Sequence, residues 1–240
     1  ALNARASAVQ ATTRMEKAME RLSSGMRVNS ASDDAAGLAV AGKMESQLRG
    51  INMSIRNAQD GMGLIQTAES GLNEIRNMVL RIRELAVQMA HGIYENTPDR
   101  SNAQLEVTAL IDQVTLIAEN TRFNDIAVLD GSFTGVSIQT GNTTAETITL
   151  SFIDVASSGL SIDTATVATQ SDATVAMGTM DTALQTIASE QAKFGSLINR
   201  LNFSVANQSK ASVMTEQAIG RVLDADFATE TTNLSKQQIL

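Results

Sequence analysis

Apolar and small side chains recur at alternating steps of three and four residues along two long stretches of the chain. The first stretch runs from Leu48 to Met89 and shifts phase once by three residues. The second runs from Met177 to Gln208, inside a helix predicted over 172–222. Such a repeat aligns the apolar positions on one face of a helix that packs along another helix. The pattern therefore predicts a long antiparallel helical hairpin, or coiled-coil bundle.

Three shorter segments carry weaker helical patterns. Residues 3–24 are Ala-rich and amphipathic, residues 98–120 place apolar side chains on one face, and residues 227–240 keep a few apolar positions. Thr97 and Pro98 suit the N-cap and the first helical position of the middle segment. These segments predict three further helices.

Glycines interrupt the first long stretch. Gly61, Gly63 and Gly71 lie inside it, and each costs about 1 kcal/mol relative to alanine in a helix interior. They indicate close packing, a local bend or a break that divides the helix. The sequence leaves these three interpretations open.

The middle of the chain changes to a period of two. Val136–Gln139 and Ile148–Phe152 alternate around the polar turn Gly141–Thr144, which predicts a β-hairpin. Residues 154–176 are rich in Ser, Thr, Ala and Asp and indicate a loop, with room for one more short strand. The predicted fold class is mainly α with a small β region.

A polar break separates the first helix from the first long one. Gly25 ends the first pattern, and Ser30 or Ser32 is predicted to be the N-cap of the next helix. Asp33 and Asp34 then fall in its first turn, where carboxylates stabilise the positive end of the helix dipole by about 0.3–1 kcal/mol each. Because no His is nearby in the sequence, helix capping explains this acidic pair better than acid–base chemistry.

Composition argues against most kinds of chemical site. The net charge of -8 disfavours binding to a phosphate backbone. The sequence contains 0 Cys residues, and its single His is His91. No thiolate or paired-histidine metal site is therefore predicted. No Gly-x-Ser-x-Gly elbow and no phosphate-binding glycine loop occur. We therefore predict no catalytic site, no metal and no cofactor, and we predict that the chain is not an enzyme.

The chain also lacks the usual membrane and secretion signals. No run of 18 apolar residues occurs, so no membrane span is predicted. The first twenty residues contain several charges and do not form a cleavable signal peptide of the usual kind. The chain has no initiator Met and ends within a helical pattern, which predicts a fragment trimmed at both ends.

Several sequence blocks together closely resemble bacterial flagellins. The clearest is Arg21–Ala39, RLSSGMRVNSASDDAAGLA. The resemblance covers about residues 2–131 and 181–240, whereas 132–180 is not diagnostic. Seven further blocks follow in the family's order, at 54–61, 67–72, 83–88, 120–124, 129–131, 194–201 and 221–230.

The resemblance implies a structural subunit that polymerises into the flagellar filament, a helical tube for swimming, outside the cell. It implies export through the flagellar channel without a cleavable signal. It implies an assembly and linker motif within residues 22–37. The motif positions are Leu22, Ser23, Ser24, Gly25, Asn29, Ser30, Asp33, Asp34 and Gly37.

The resemblance also implies a division into layers. Residues 1–25 and 226–240 would be remnants of the inner-tube helices, and 26–37 would be the linker between inner and outer layers. The first outer domain, a discontinuous helical rod, would combine 38–127 with 176–225. A small β-rich variable region would occupy 128–175.

The implied partners are other copies of the chain, an export chaperone, and cap or junction proteins, with no nucleic acid. A host Toll-like receptor that senses flagellin is a further implied partner. The matching positions are Arg81, Leu85 and Glu106. Packing between subunits is the alternative role for these residues.

Three other functions compete with the filament subunit. A hook–filament junction protein shares the terminal blocks. A flagellin-like surface adhesin that binds polysaccharide would need aromatic platforms, and the middle offers only Phe133 and Phe152. A chemoreceptor-like signalling hairpin would lack the β-rich middle.

Overall fold

Helices dominate the chain and follow the predicted order. The computed structural model describes the backbone of residues 2–239 and the side chains of residues 5 and 8–239. Ala1 and Leu240, at the ends of the predicted inner-tube segments, lie outside the described residues. The helices are α1 (Leu2–Ser24), α2 (Ala35–Met89), α3 (Ser101–Asn120), α4 (Gln170–Leu223) and α5 (Phe227–Ile239), with a π-helical segment over Asn96–Arg100 before α3.

Two antiparallel pairs of short strands make up the β structure. The strands are β1 (Arg122–Phe123) with β2 (Ile126–Ala127), and β3 (Val136–Gln139) with β4 (Thr147–Leu150). The β3–β4 pair, with Val136 opposite Leu150, is the predicted hairpin. Within the described part of 154–176, the structure has no strand, only an isolated antiparallel bridge from Asp154 to Asp130. The predicted fold class, mainly α with a small β region, is confirmed.

The long helices α2 and α4 run antiparallel, as predicted. Arg83 Nε donates to Asp181 Oδ1 at 2.5 Å, and Gln191 Nε2 donates to Asn73 Oδ1 at 2.7 Å. From the first contact to the second, the residue number falls by ten on α2 and rises by ten on α4, so the two helices run in opposite directions. The predicted apolar face is buried between these helices and their neighbours. Its fully buried members include Ile65, Leu72, Ile75, Val79 and Ile82 on α2, and Met180, Ile187, Phe194 and Leu201 on α4.

The interior glycines do not break α2, which is continuous through all three. A Cβ at Gly71 would lie 2.7 Å from Thr121 Oγ1 and 2.8 Å from Leu129 Cδ1. Close packing of the segment after α3 against α2 therefore explains Gly71. At Gly63 the nearest atom would be an ordinary van der Waals neighbour, 3.8 Å away in Phe123.

We expect Gly71→Ala to destabilise the protein by about 1–3 kcal/mol, because the added methyl group overpacks a tight contact. Gly178→Ala is the matched control, since Gly178 is also inside a long helix but has nothing within 4 Å of its Cβ position. The control should gain up to about 1 kcal/mol from helix propensity. Urea unfolding followed by circular dichroism measures both values. A neutral Gly71→Ala variant would contradict the packing explanation.

The start of α3 differs from the prediction. Thr97 and Pro98 were expected to open the helix, but α3 begins at Ser101. The backbone of Thr97 is extended, with φ −139° and ψ 122°, as the residue before a proline prefers. Pro98 therefore lies in the π-helical segment instead.

Arg100 occupies the junction between α2 and α3. This buried guanidinium donates from Nε to the Met89 carbonyl at 2.9 Å and from Nη2 to the His91 carbonyl at 3.0 Å. Its Nη1 donates to the Tyr94 carbonyl and to Asn96 Oδ1. Carbonyls at a helix C-terminus lack intrahelical donors, so Arg100 satisfies the end of α2 and the turn that follows.

The chain divides into two compact units. Unit 1 comprises Ala1–Ser54 and Ala206–Leu240, and unit 2 comprises Ile55–Val205. The domain ranges implied by the resemblance refer to the predicted layers of an assembled filament, whereas these two units are defined within one chain. The predicted ranges therefore stay a prediction.

Candidate assembly linker

The turn after α1 is built around Ser24 and Gly25. Gly25 has a φ of 72° and donates its N–H to the Arg21 carbonyl at 2.9 Å, the left-handed conformation that commonly ends a helix. Ser24 Oγ accepts the backbone N–H of Met26 at 3.1 Å and the side-chain amide of Asn29 at 2.8 Å. These bonds fix the direction in which the linker leaves α1.

Asp33 holds the next part of the linker together. Its Oδ2 accepts the backbone N–H groups of Asn29 and Ser30 and the Ser30 hydroxyl, at 3.2–3.3 Å. Its Oδ1 pairs with Lys17 Nζ of α1 at 2.5 Å. The Lys17 ammonium, followed by these hydrogen bonds, lowers the pKa of Asp33 from 3.8 to about 2. Asp33 thus closes the linker onto α1.

The ionisation of Asp33 gives unit 1 a specific acid sensitivity. Its folded pKa is below its unfolded pKa, so its contribution to stability is complete above pH about 4 and is lost as the pH falls towards 2. A side-chain NMR titration should therefore find a midpoint near 2. Lys17→Met should raise that midpoint, whereas Lys43→Met, which removes an exposed lysine elsewhere in unit 1, should not. A midpoint near 3.8 in the unchanged chain would contradict the network.

Asp34, rather than Ser30 or Ser32, is the N-cap of α2. Its Oδ1 accepts the backbone N–H of Gly37 at 2.8 Å, three residues into the helix, as a capping carboxylate does. The predicted serine caps are wrong because the Ser30 hydroxyl is bonded to Asp33 and to Ser32 instead. The predicted place of Asp33 and Asp34 in the first turn is wrong as well, because α2 begins at Ala35 and both residues precede it. Gly37 suits the cap, since a Cβ there would lie 2.4 Å from Asp34 Oδ2.

The linker pairs with the end of α4 within unit 1. Met26 and Asp224 form an antiparallel bridge, the Arg27 N–H donates to the Leu223 carbonyl at 2.6 Å, and the Ala225 N–H donates to the Gly25 carbonyl at 3.0 Å. The Arg27 guanidinium also donates to the Val222 carbonyl at 2.7 Å. The N-terminal and C-terminal parts of the chain are therefore joined at this point.

An ion pair joins α1 to α5 beside the linker. Arg21 Nη1 donates to Glu230 Oε1 at 2.8 Å, and the Glu230 side chain is buried. Asp226 caps α5 by accepting from Thr229 Oγ1 at 2.8 Å and from the Ala228 N–H at 3.0 Å. The Thr229 hydroxyl, with the backbone donors, lowers the pKa of Asp226.

Seven of the nine predicted motif residues belong to this hydrogen-bonded turn: Ser24, Gly25, Asn29, Ser30, Asp33, Asp34 and Gly37. Leu22 is half-buried and Ser23 is exposed, and neither takes part through its side chain. Sequence reasoning missed Arg21 and Glu230 as a pair, because 209 residues separate them and no local spacing indicates the contact. Whether the motif acts in assembly stays a prediction.

The three predicted receptor positions lie in unit 2 but in different environments. Arg81 Nε donates to Glu106 Oε1 at 2.8 Å, and both side chains are about half exposed. Glu106 and then Glu84 raise the pKa of Arg81. Leu85 is only 4% exposed and belongs to the hydrophobic core. The structure therefore brings Arg81 and Glu106 together at the surface and places Leu85 beneath it.

The described residues contain no cluster of three His, Asp or Glu side chains that could hold a metal ion. His91 lies just after α2, where its Nδ1 accepts the backbone N–H of Ile93 at 3.3 Å. Over residues 2–239, no helix is both long and apolar enough to cross a membrane. The polar contacts described above are hydrogen bonds and ion pairs that stabilise turns and join helices.

Comparisons with known proteins agree with this architecture. The family description "Bacterial flagellin N-terminal helical region" matches residues 1–134, and "Bacterial flagellin C-terminal helical region" matches residues 177–240. The flagellar filament 31.3 kDa core protein of Treponema maltophilum is 38% identical over 241 residues, which cover 93% of this chain and 84% of that protein. A flagellin of Halalkalibacterium halodurans is 35% identical over 229 residues, 94% of this chain and 83% of that protein.

A solved structure shows the same likeness. The crystal structure of Bacillus cereus flagellin is 34% identical, with a TM-score of 0.58 over 64% of this chain and 88% of that chain. The matches define a structural protein of the flagellar filament, an extracellular appendage, rather than a member of an enzyme family. The chain belongs to the bacterial flagellin family and is a structural subunit that polymerises into the filament.

Proposed function

We propose that this flagellin assembles chiefly through unit 1, and that unit 2 folds as an independent body around its own core. The distribution of buried apolar side chains carries the proposal. Every member of the large hydrophobic cluster, from Ala58 to Leu201, belongs to unit 2. Among the described side chains of unit 1, the buried apolar residues are Ala18, Val28, Ala41 and Ile51.

Unit 1 also exposes large apolar side chains along its helices. We expect these exposed side chains to contribute to an interface. A unit with so little core of its own gains stability when neighbouring copies cover its apolar side chains. The exposed members are Val9, Met19, Met26, Val40, Met53, Val213, Met214, Phe227 and Ile239.

Charge supports the same division. Unit 1 carries 10 Lys and Arg against 9 Asp and Glu, whereas unit 2 carries 8 against 17. Nearly neutral surfaces can approach one another closely, while a strongly acidic surface repels its copies and favours contact with water. An open helical filament needs head-to-tail contacts that repeat without closing into a ring, and unit 1 suits that role.

Seeded growth tests this proposal. The purified chain is added to short flagellin filament seeds, and negative-stain electron microscopy measures elongation. We expect growth, and we expect Met214→Glu, which puts a charge on a 68% exposed apolar position of unit 1, to abolish it. Val175→Glu is the matched control, because Val175 is 67% exposed on the same helix but belongs to unit 2.

The control should elongate at the unchanged rate, and both variants should keep the helical circular dichroism of the parent chain. Growth of Met214→Glu at the rate of the parent would contradict assembly through unit 1. No growth from the parent chain would also contradict the proposal that unit 1 is sufficient for assembly.

Further partners and properties belong to the same proposal. Family membership supports export through the flagellar channel and contact with an export chaperone and cap or junction proteins. The absence of Cys from the sequence is consistent with passage as an unfolded chain. A host receptor would contact the exposed Arg81–Glu106 pair, with buried Leu85 supporting it from below. Catalysis has no part in this function.

A further inference from the structure

A cationic cavity lies between α1 and α5 in unit 1. Its volume is about 320 Å³, and its charged lining consists of Arg14, Lys17, Arg21, Glu230 and Lys236. Four cations therefore face one carboxylate, in a chain whose net charge is -8. The linker network and the charge division between the units do not explain this concentration of positive charge.

Only part of the positive charge is neutralised within the protein. Lys17 pairs with Asp33, and Arg21 pairs with Glu230. Arg14 and Lys236 are exposed and have no ion-pair or hydrogen-bond partner among the described residues. The cavity thus keeps two cations without counter-charges.

Arg21 has a buried donor that lacks an acceptor, which is a second indication that the cavity binds an anion. Its Nη1 is bonded to Glu230, but its Nε is buried and makes no hydrogen bond within the described residues. A buried N–H without an acceptor destabilises a folded protein, and such groups are rare. An acceptor entering the cavity beside Arg21 would remove that cost.

We propose that this cavity binds a single oxyanion, a phosphate-like or carboxylate group, between α1 and α5. Guanidinium groups bind the paired oxygens of such anions, and an ammonium group adds a point charge. Arg14 and Arg21 on α1 and Lys236 on α5 supply both kinds of donor. Because the cations come from both helices, the anion strengthens the α1–α5 contact.

The same chemistry can come from two sources, a free anion or an Asp or Glu side chain of a second copy. Binding of a free anion requires no assembly, so the inference stands apart from the proposed function. Titration of inorganic phosphate at two protein concentrations distinguishes the sources. With a second copy as the natural source, the apparent phosphate affinity falls as the chain is concentrated, and with a free anion it stays constant.

Isothermal titration of phosphate into the full chain, in chloride of matched ionic strength, tests the inference. We expect saturable binding of one phosphate per chain, and at least a tenfold loss of affinity in the double variant Arg14→Gln/Lys236→Gln. Both side chains are exposed and make no structural contact that the variant would break. Lys236→Arg should retain binding, because it preserves the charge and adds donors.

The matched control is Lys43→Gln/Lys210→Gln, which removes two exposed lysines from unit 1 outside the cavity. It should bind phosphate as the parent chain does. Absence of saturable binding, or an equal loss in the control, would overturn the inference. Neither of these results decides the outcome of the seeded-growth experiment. The two proposals can therefore fail separately.

Discussion

Replacing Phe194 by Ala is expected to lower the free energy of unfolding by about 3–5 kcal/mol, the usual cost of deleting a buried aromatic ring. Phe194 is fully buried on α4 and meets the edge of Phe152 at a centroid distance of 4.7 Å. Phe152 in turn stacks on Phe133 at 4.9 Å. Loss of Phe194 therefore leaves a cavity where the long helix contacts the β-rich middle.

Phe203→Ala is the control for this prediction. Phe203 lies nine residues further along α4 and is 78% exposed, so its truncation should change stability by less than about 0.5 kcal/mol. Denaturant unfolding followed by far-ultraviolet circular dichroism measures both variants. If the two substitutions had equal effects, the aromatic cluster would not be what holds the β-rich middle of the chain against α4.

Replacing Arg100 by Ala is expected to cost about 3 kcal/mol. The substitution removes the charged donor from the carbonyls of Met89, His91 and Tyr94, and hydrogen bonds to charged groups contribute about 1.5–3 kcal/mol each without adding fully. Arg100→Lys should recover less than half of the loss, because one ammonium group cannot reproduce the guanidinium fork.

Arg76→Ala is the matched control, since Arg76 is an exposed arginine of α2 in the same unit. It should change the free energy of unfolding by less than about 0.5 kcal/mol. Amide hydrogen exchange adds a local measurement, because loss of Arg100 should release protection at the end of α2. Unchanged exchange there would contradict the role assigned to Arg100.

The two aromatic side chains of the middle also bear on the adhesin alternative. Phe133 and Phe152 are 2% and 3% exposed and stack on each other. Neither can offer its face to a sugar ring in this structure. The aromatic platform that a polysaccharide-binding surface would need is therefore part of the core instead.

Long-range periodicity was the reliable guide to the fold. The helix predicted over 172–222 is observed at Gln170–Leu223, and the one predicted over 3–24 at Leu2–Ser24. An apolar face that repeats over many turns must be buried against a partner, so its helical state is strongly determined. The β3–β4 hairpin was predictable from the period of two in its sequence, and in β4 that period places Ile148 and Leu150 on the buried face.

Short elements were not predictable in the same way. The β1–β2 pair has two residues per strand, too few for a period to appear. The turn between them depends on Asn124 and Asp125, with φ values of 49° and 63°, a conformation that Asn and Asp tolerate better than other residues except Gly. The Asn-Asp pair was therefore the only local signal.

The details of the linker depended on competition among neighbouring polar groups. Ser30 and Ser32 have good capping side chains, but Asp33 binds the Ser30 hydroxyl and Asp34 reaches the N–H of Gly37. Intrinsic capping preference does not decide between donors and acceptors so close in sequence. The family resemblance identified this segment, and the tertiary contacts of Lys17 and the end of α4 determine its bonding.

Helical reconstruction by cryo-electron microscopy of filaments grown from this chain tests assembly through unit 1 most directly. We expect an open tube in which Val9, Met214 and the other exposed apolar residues of unit 1 are covered by neighbouring copies. We also expect the acidic surface of unit 2 to face solvent. A closed ring, or a tube held together by unit 2 with Met214 in contact with water, would contradict assembly through unit 1.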